Sequence, residues 1–169
     1  MRSLGLDVGD RRTGVAISDP EGILATPLTV LDSPDEDALI DAVLRLVGQH
    51  RVERIVVGLP RHMDGRLGRQ ANKVTAFVDR LRLRASETSP EGHLSAFDIQ
   101  LWDERLSTQT AERLKTEARS KGQKLRSAAK RGARHHSFRA RAGLDAMAAA
   151  LILQGYLDSL KDGEEWPDI

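Results

Sequence analysis

The chain has 169 residues, 40% of them hydrophobic and 30% charged, with no cysteine. That length and balance fit one folded domain with a real core, and exclude a disordered or membrane-spanning chain. Without cysteine there is no disulfide, thiolate catalysis or zinc-ribbon site, a composition suited to the cytoplasm, and any metal must be held by oxygen or imidazole.

The start, MRSLGLDVGD, interrupts its apolar run with Asp7 and Asp10, so it does not read as a signal peptide. Ser3–Asp7 reads as a first strand, Thr13–Ser18 as a second after the charged turn Asp10–Arg12, and Ile23–Leu31 as a third after Asp19-Pro20-Glu21-Gly22. Connections this short favour antiparallel hairpins. Pro34-Asp35-Glu36 opens a helix with Ser33 as the expected N-cap, and Leu39, Ile40, Val43, Leu44, Leu46 and Val47 carry its apolar face to Gly48. Arg54–Gly58 is a continuous apolar run, as a strand covered on both faces requires.

A loop holding Gly58, Pro60, Asp64 and Gly65 leads to a second helix with Val74, Phe77, Val78, Leu81 and Leu83 on its buried stripe. Phe97–Trp102 alternates as a fifth strand, and Ser107 caps a third helix, Thr108–Ala118. Leu144–Leu160 forms a long apolar helix. The order βββαβαβα, with that further helix at the end, predicts an α/β fold. We expect a mixed five-stranded sheet, its first three strands antiparallel, with helices on both faces. Residues 1–160 then form a single domain and 161–169 a polar tail.

The net charge of +1 conceals an asymmetry. Between Arg119 and Leu144 there are nine bases and no acid: Arg119, Lys121, Lys124, Arg126, Lys130, Arg131, Arg134, Arg139 and Arg141. Taking those nine from the 26 Lys and Arg leaves 17 against 25 acids. A solvated loop would account for a charge run, but one this long, with His135 and His136 inside it, points to a polyanionic partner such as nucleic acid.

Three acids stand at the ends of core elements. Asp7 ends the first strand, Glu104 follows the fifth, and Asp145 sits in the first turn of the last helix. Each has a plain alternative: a turn residue bonded to backbone N–H, a surface partner of Arg105, and an acid favoured by a helix N-terminus. Brought to one sheet edge, they would suit Mg2+ or Mn2+, hard ions that prefer oxygen, in a two-ion site for phosphodiester hydrolysis. Asp145 is the hardest to dismiss, because the small residues after it would let the helix lie close on a sheet.

The stretches GLDVGDRRTGVAISD, IVVGLPRHMDGRLGRQA, WDERLSTQTAE and LDAMAAALILQGYLDS, in that order, resemble the YqgF/RuvX family. These are small bacterial proteins described as Holliday junction resolvases and as pre-16S rRNA nucleases, with a ribonuclease H-like fold. The resemblance implies that Asp7, Glu104 and Asp145 are the catalytic, metal-binding acids, and that the protein is cytoplasmic; a homodimer is plausible on the same ground. Relatives often carry lysine shortly before the last aspartate, where this chain has Arg139 and Arg141. Related RuvC resolvases add a fourth metal-site group on that helix; here three acids are expected. Arg105, Lys121, Lys124, Arg126, Lys130, Arg131, Arg134, Arg139 and Arg141 would grip the nucleic-acid backbone, either branched DNA or precursor rRNA. Gly9, Gly58 and Pro60 would line the site.

Two rival readings remain. GLDVGDRRTG also resembles the first phosphate-binding turn of sugar kinases and actin-like ATPases, but those need two such domains. A non-catalytic nucleic-acid-binding or ribosome-assembly factor on the same fold is the other.

Overall fold

The computed structural model describes residues 1–32, 35–60, 68–88, 97–103 and 136–161, with side chains in the last segment described from Gly143. Strands β1 (Ser3–Val8), β2 (Arg12–Ser18) and β3 (Ala25–Asp32) form an antiparallel meander. Strands β4 (Arg54–Leu59) and β5 (Asp98–Asp103) add to β1 in parallel, giving the sheet order β3-β2-β1-β4-β5. The helices are α1 (Glu36–His50), α2 (Arg69–Thr88) and α3 (His136–Lys161). The expected mixed sheet with helices on both faces is therefore present, and the strand limits differ from the sequence reading by only one or two residues.

The hairpins follow from their turns. Asp19 Oδ1 accepts from the backbone N–H of Ile23 at 2.6 Å and of Leu24 at 3.2 Å, while Gly22 takes a φ of +71° that a side chain would resist. In α1 the N-cap is Asp35, whose Oδ2 accepts from the N–H of Ala38 at 3.2 Å. The cap expected at Ser33 is thus corrected: Asp35, adjacent to Glu36, takes that role. Arg51 ends the helix in the left-handed region, φ 53°, its N–H directed to the carbonyl of Gly48.

Alternation along the strands divides the core in two. Leu4, Leu6, Val15, Ile55, Val57 and Ile99 face α1 and α2, where they meet Ile40, Val43, Val47, Val74, Phe77, Val78 and Leu81. Each such side chain contributes about 1.5–3 kcal/mol by leaving water. Leu83, expected on the α2 stripe, is instead 61% exposed, because two residues past Leu81 turns it away from that face. Arg80 reaches Glu36 and Asp37, and Arg84 reaches Asp41, joining the exposed sides of the two helices.

The opposite face carries Ala16, Val56 and Trp102 beneath Ala149, Ala150, Ile152, Leu153, Tyr156 and Leu157 of α3. The helix begins at His136, eight residues before the expected Leu144, since the alanines and arginines ahead of Gly143 are good helix formers and one glycine does not break the run. Its last residue is Lys161, one place into the expected tail. The sequence-predicted helix Thr108–Ala118 lies outside the described residues. Among the described residues no helix is long and apolar enough to cross a membrane.

Candidate metal and nucleic-acid site

Asp7 and Gly5 lie on the α3 face of β1, since Leu4 and Leu6 between and before them point into the other core. The helix lies so close here that a Cβ on Gly5 would stand 2.7 Å from Leu153 Cβ and 2.9 Å from the Ala149 carbonyl. On β2, Gly14 is the direct partner of Asp7, and a Cβ there would meet the backbone oxygen of Asp145 at 1.9 Å. Two glycines and the small residues Ala146, Ala149 and Ala150 therefore let α3 descend onto the sheet, with Asp145 delivered beside Asp7.

The two acids interact electrostatically. Burial pushes the Asp7 carboxyl above its usual value, and the charge of Asp145 raises it further. Arg12, the first residue of β2, supplies the opposing charge: its Nε lies 2.9 Å from Asp145 Oδ2. That nitrogen is off the direction a hydrogen bond needs, and Oδ2 is shielded from solvent without accepting one. A buried carboxylate oxygen with an unspent lone pair, next to a second, half-buried carboxylate, suits a hard divalent cation. Among the described residues no group of three acids or histidines forms a complete cluster. Asp7 and Asp145 are two of the three expected ligands; Glu104, the residue after β5, lies outside the described residues.

The rim is built by the β1–β2 turn and α2. Gly9 N–H donates to the Arg12 carbonyl at 3.0 Å, and a Cβ on Gly9 would lie 2.6 Å from that oxygen. The turn itself thus requires glycine at this position, whatever approaches it. Gln70 Nε2 donates to the Val8 carbonyl at 2.9 Å, and Lys73 pairs with Asp10, whose pKa is lowered first by that hydrogen bond and then by the lysine's charge.

The structure corrects two placements. Asp145 is not in the first turn of its helix, which starts nine residues earlier, so a helix-terminus dipole does not explain it. Gly58 is not in a loop but inside β4, buried and paired with Trp102; Pro60 follows the strand, half-buried. Arg105, Lys121, Lys124, Arg126, Lys130, Arg131, Arg134 and His135 lie outside the described residues. His136, Arg139 and Arg141 fall on the first turns of α3. Arg12 was absent from the sequence-derived site: the run Asp10-Arg11-Arg12 gave no sign of which charge reaches from the sheet to α3, although Gly14 two residues on and the small residues after Asp145 both hinted at a close approach.

Comparison with known proteins agrees with this architecture. The RuvX family, described as Holliday junction resolvase, matches residues 1–159. A protein of Desulforudis audaxviator named "Putative pre-16S rRNA nuclease" is 40% identical over 165 residues, covering 96% of this chain and 98% of its own. One of the same name from Clostridium botulinum is 39% identical over 163 residues, covering 95% and 98%. Among solved structures, Thermus thermophilus RuvC superposes with a TM-score of 0.54 at 16% identity, over 96% of this chain and 97% of that one. The yeast mitochondrial Holliday junction resolvase gives 0.52 at 15% identity, over 95% and 82%. At such identities the structures speak for the fold alone, the ribonuclease H-like fold of the RuvC resolvases. With the match running through almost the whole length, the chain belongs to the RuvX (YqgF) family of nucleases.

Proposed function

We propose that this protein is a divalent-metal-dependent endonuclease that hydrolyses phosphodiester bonds of structured nucleic acid. The observation that carries the reading is the pair Asp7 and Asp145, held together across Gly14 with one Asp145 oxygen shielded and accepting no hydrogen bond. Asp7, Asp145 and Glu104 would hold Mg2+ or Mn2+. When bound, the cations would supply an activated water and stabilise the charge developing on phosphate.

The chain's own residues do the rest. The α3 helix and β1 fix both carboxylates on rigid elements, so little reorganisation is needed at the moment of reaction. Burial of Asp7 strengthens its interaction with any cation by excluding water. The basic segment from Arg119 to Arg141, with Arg105, would hold the backbone of the nucleic acid with a strong dependence on salt.

Two substrates suit this reading: a four-way DNA junction and the 5′ end of precursor 16S rRNA. Purified protein incubated with each in Mn2+, beside Asp7→Asn, tests it. Cleavage of one substrate by the wild type and of neither by the variant is expected. Binding without cleavage of either, in Mg2+ and in Mn2+, would instead favour a ribosome-assembly or nucleic-acid-binding factor.

A further inference from the structure

We infer that Arg12 is a positioning residue that occupies the electrostatic place of a cation at Asp145 and thereby sets how tightly the site takes a divalent ion. The inference rests on the metal-dependent reading above and extends it to a residue outside the three acids.

Asp7 is in register with Gly14, which lies against the backbone of Asp145, so the two carboxylates repel when both are ionised. Two other cations on the described surface are engaged elsewhere. Arg54 is paired with Asp98 and donates to Tyr156, and Lys73 is paired with Asp10. Arg12 alone among the described basic residues is ion-paired with Asp145.

Its position is imposed by the fold. The Gly9 N–H to Arg12 carbonyl bond closes the turn before β2, and Arg12 is in register with Asp32 of β3. From there the guanidinium reaches Asp145 with Nε at 2.9 Å, both side chains about one-third exposed or less, at 27% and 31%. The contact is a charge pair without hydrogen-bond alignment, so Oδ2 keeps its lone pair. An ion can therefore take that oxygen without first breaking a hydrogen bond, but it enters against the guanidinium's positive charge. The arginine holds the acid in place and weakens cation affinity at once.

The test is Mn2+ titration of the chelator-stripped full-length protein, reading free Mn2+ by electron paramagnetic resonance. Removing one positive charge beside a divalent ion in this partly buried site should tighten Mn2+ binding about tenfold in Arg12→Gln. Arg12→Lys, which keeps the charge, should stay near the wild type, and Asp145→Asn added to Arg12→Gln should abolish the gain. Arg12→Met, uncharged and of similar reach, gives the same reading if the glutamine variant does not fold. If neither folds, Arg12 is a structural requirement and the inference is overturned. Wild-type binding of Mn2+ with no tightening in the variants overturns the inference alone. Failure of the wild type to bind Mn2+ overturns the metal-dependent reading, and the inference with it.

Discussion

Gly14 of β2 lies directly beneath Asp145 of α3, so close that a methyl group on the glycine would stand 1.9 Å from the aspartate's carbonyl oxygen. The helix backbone cannot yield there without dragging Asp145 away from Asp7. Gly14→Ala should therefore cost about 3 kcal/mol of stability or more in denaturant unfolding, as overpacking against a fixed backbone does. It should also abolish metal-dependent cleavage in the fraction that folds. Unchanged unfolding midpoint and activity would show that α3 is not tied to the sheet at this point.

Gly48 offers the reverse case. It lies near the end of α1 with no heavy atom in reach of an added Cβ, and its backbone is not in the left-handed region. Gly48→Ala should raise stability by about 0.5–1 kcal/mol in the same measurement, through reduced freedom of the unfolded chain. Cleavage should not change.

Asp7→Asn removes a desolvated charge and its repulsion with Asp145. In chelator the variant should melt at a higher temperature than the wild type, while losing cleavage in Mg2+ and Mn2+. A site that sacrifices stability for a cation has this signature; a turn aspartate satisfied by backbone bonds would give a lower melting temperature instead.

At the other end of α3, Arg54 donates to the Tyr156 hydroxyl and lies over its ring, 5.7 Å from the centroid, while Trp102 meets the same ring edge-on. Tyr156→Phe keeps the ring contacts and removes only the hydroxyl. We expect a loss of about 1 kcal/mol in unfolding, with cleavage unaffected because Arg54, the hydroxyl's partner, is in register with Ser3, at the opposite end of β1 from Asp7.

Asp19 tests the β2–β3 turn by pH. The N–H of Ile23, chiefly, holds its carboxyl below the ordinary value of 3.8, against a smaller opposing effect of desolvation. The unfolded chain thus binds the proton more readily, and stability falls as the medium becomes acid. The contribution is complete above 3.8 and is lost as pH drops through the lower folded value. The stability gap between wild type and Asp19→Ala should narrow over that interval and be constant above it; a gap that does not change with acid would show that the carboxylate is not the capping group.

The fold was legible where periodicity is strong and turns are punctuated. Alternation in β5, the unbroken RIVVG of β4 and the turn at Asp19–Gly22 each placed a strand closely. The start of α3 was not, because Gly143 followed by an apolar run looks like a boundary, whereas the helix passes through the glycine. Of the site, Asp7 and Asp145 were named from the ends of elements and the resemblance, and the structure brings them together. The ion pair with Arg12 was hidden, since it joins residues far apart in the chain and depends on how deeply a helix sinks onto Gly5 and Gly14. A glycine inside a strand signals a close approach but does not say by what.

The seating of α3 on the sheet also sets an order of events during synthesis. Asp7 is among the first residues to leave the ribosome, yet its neighbour Asp145 arrives on the last described helix, after all five described strands have been made. Until that helix docks, Ala16, Val56 and the bare backbone of Gly5 and Gly14 face water and the first carboxylate stands without its companion. A nascent chain therefore passes most of its translation unable to assemble this site, and cutting power, on the reading proposed, arises only when α3 closes over the sheet.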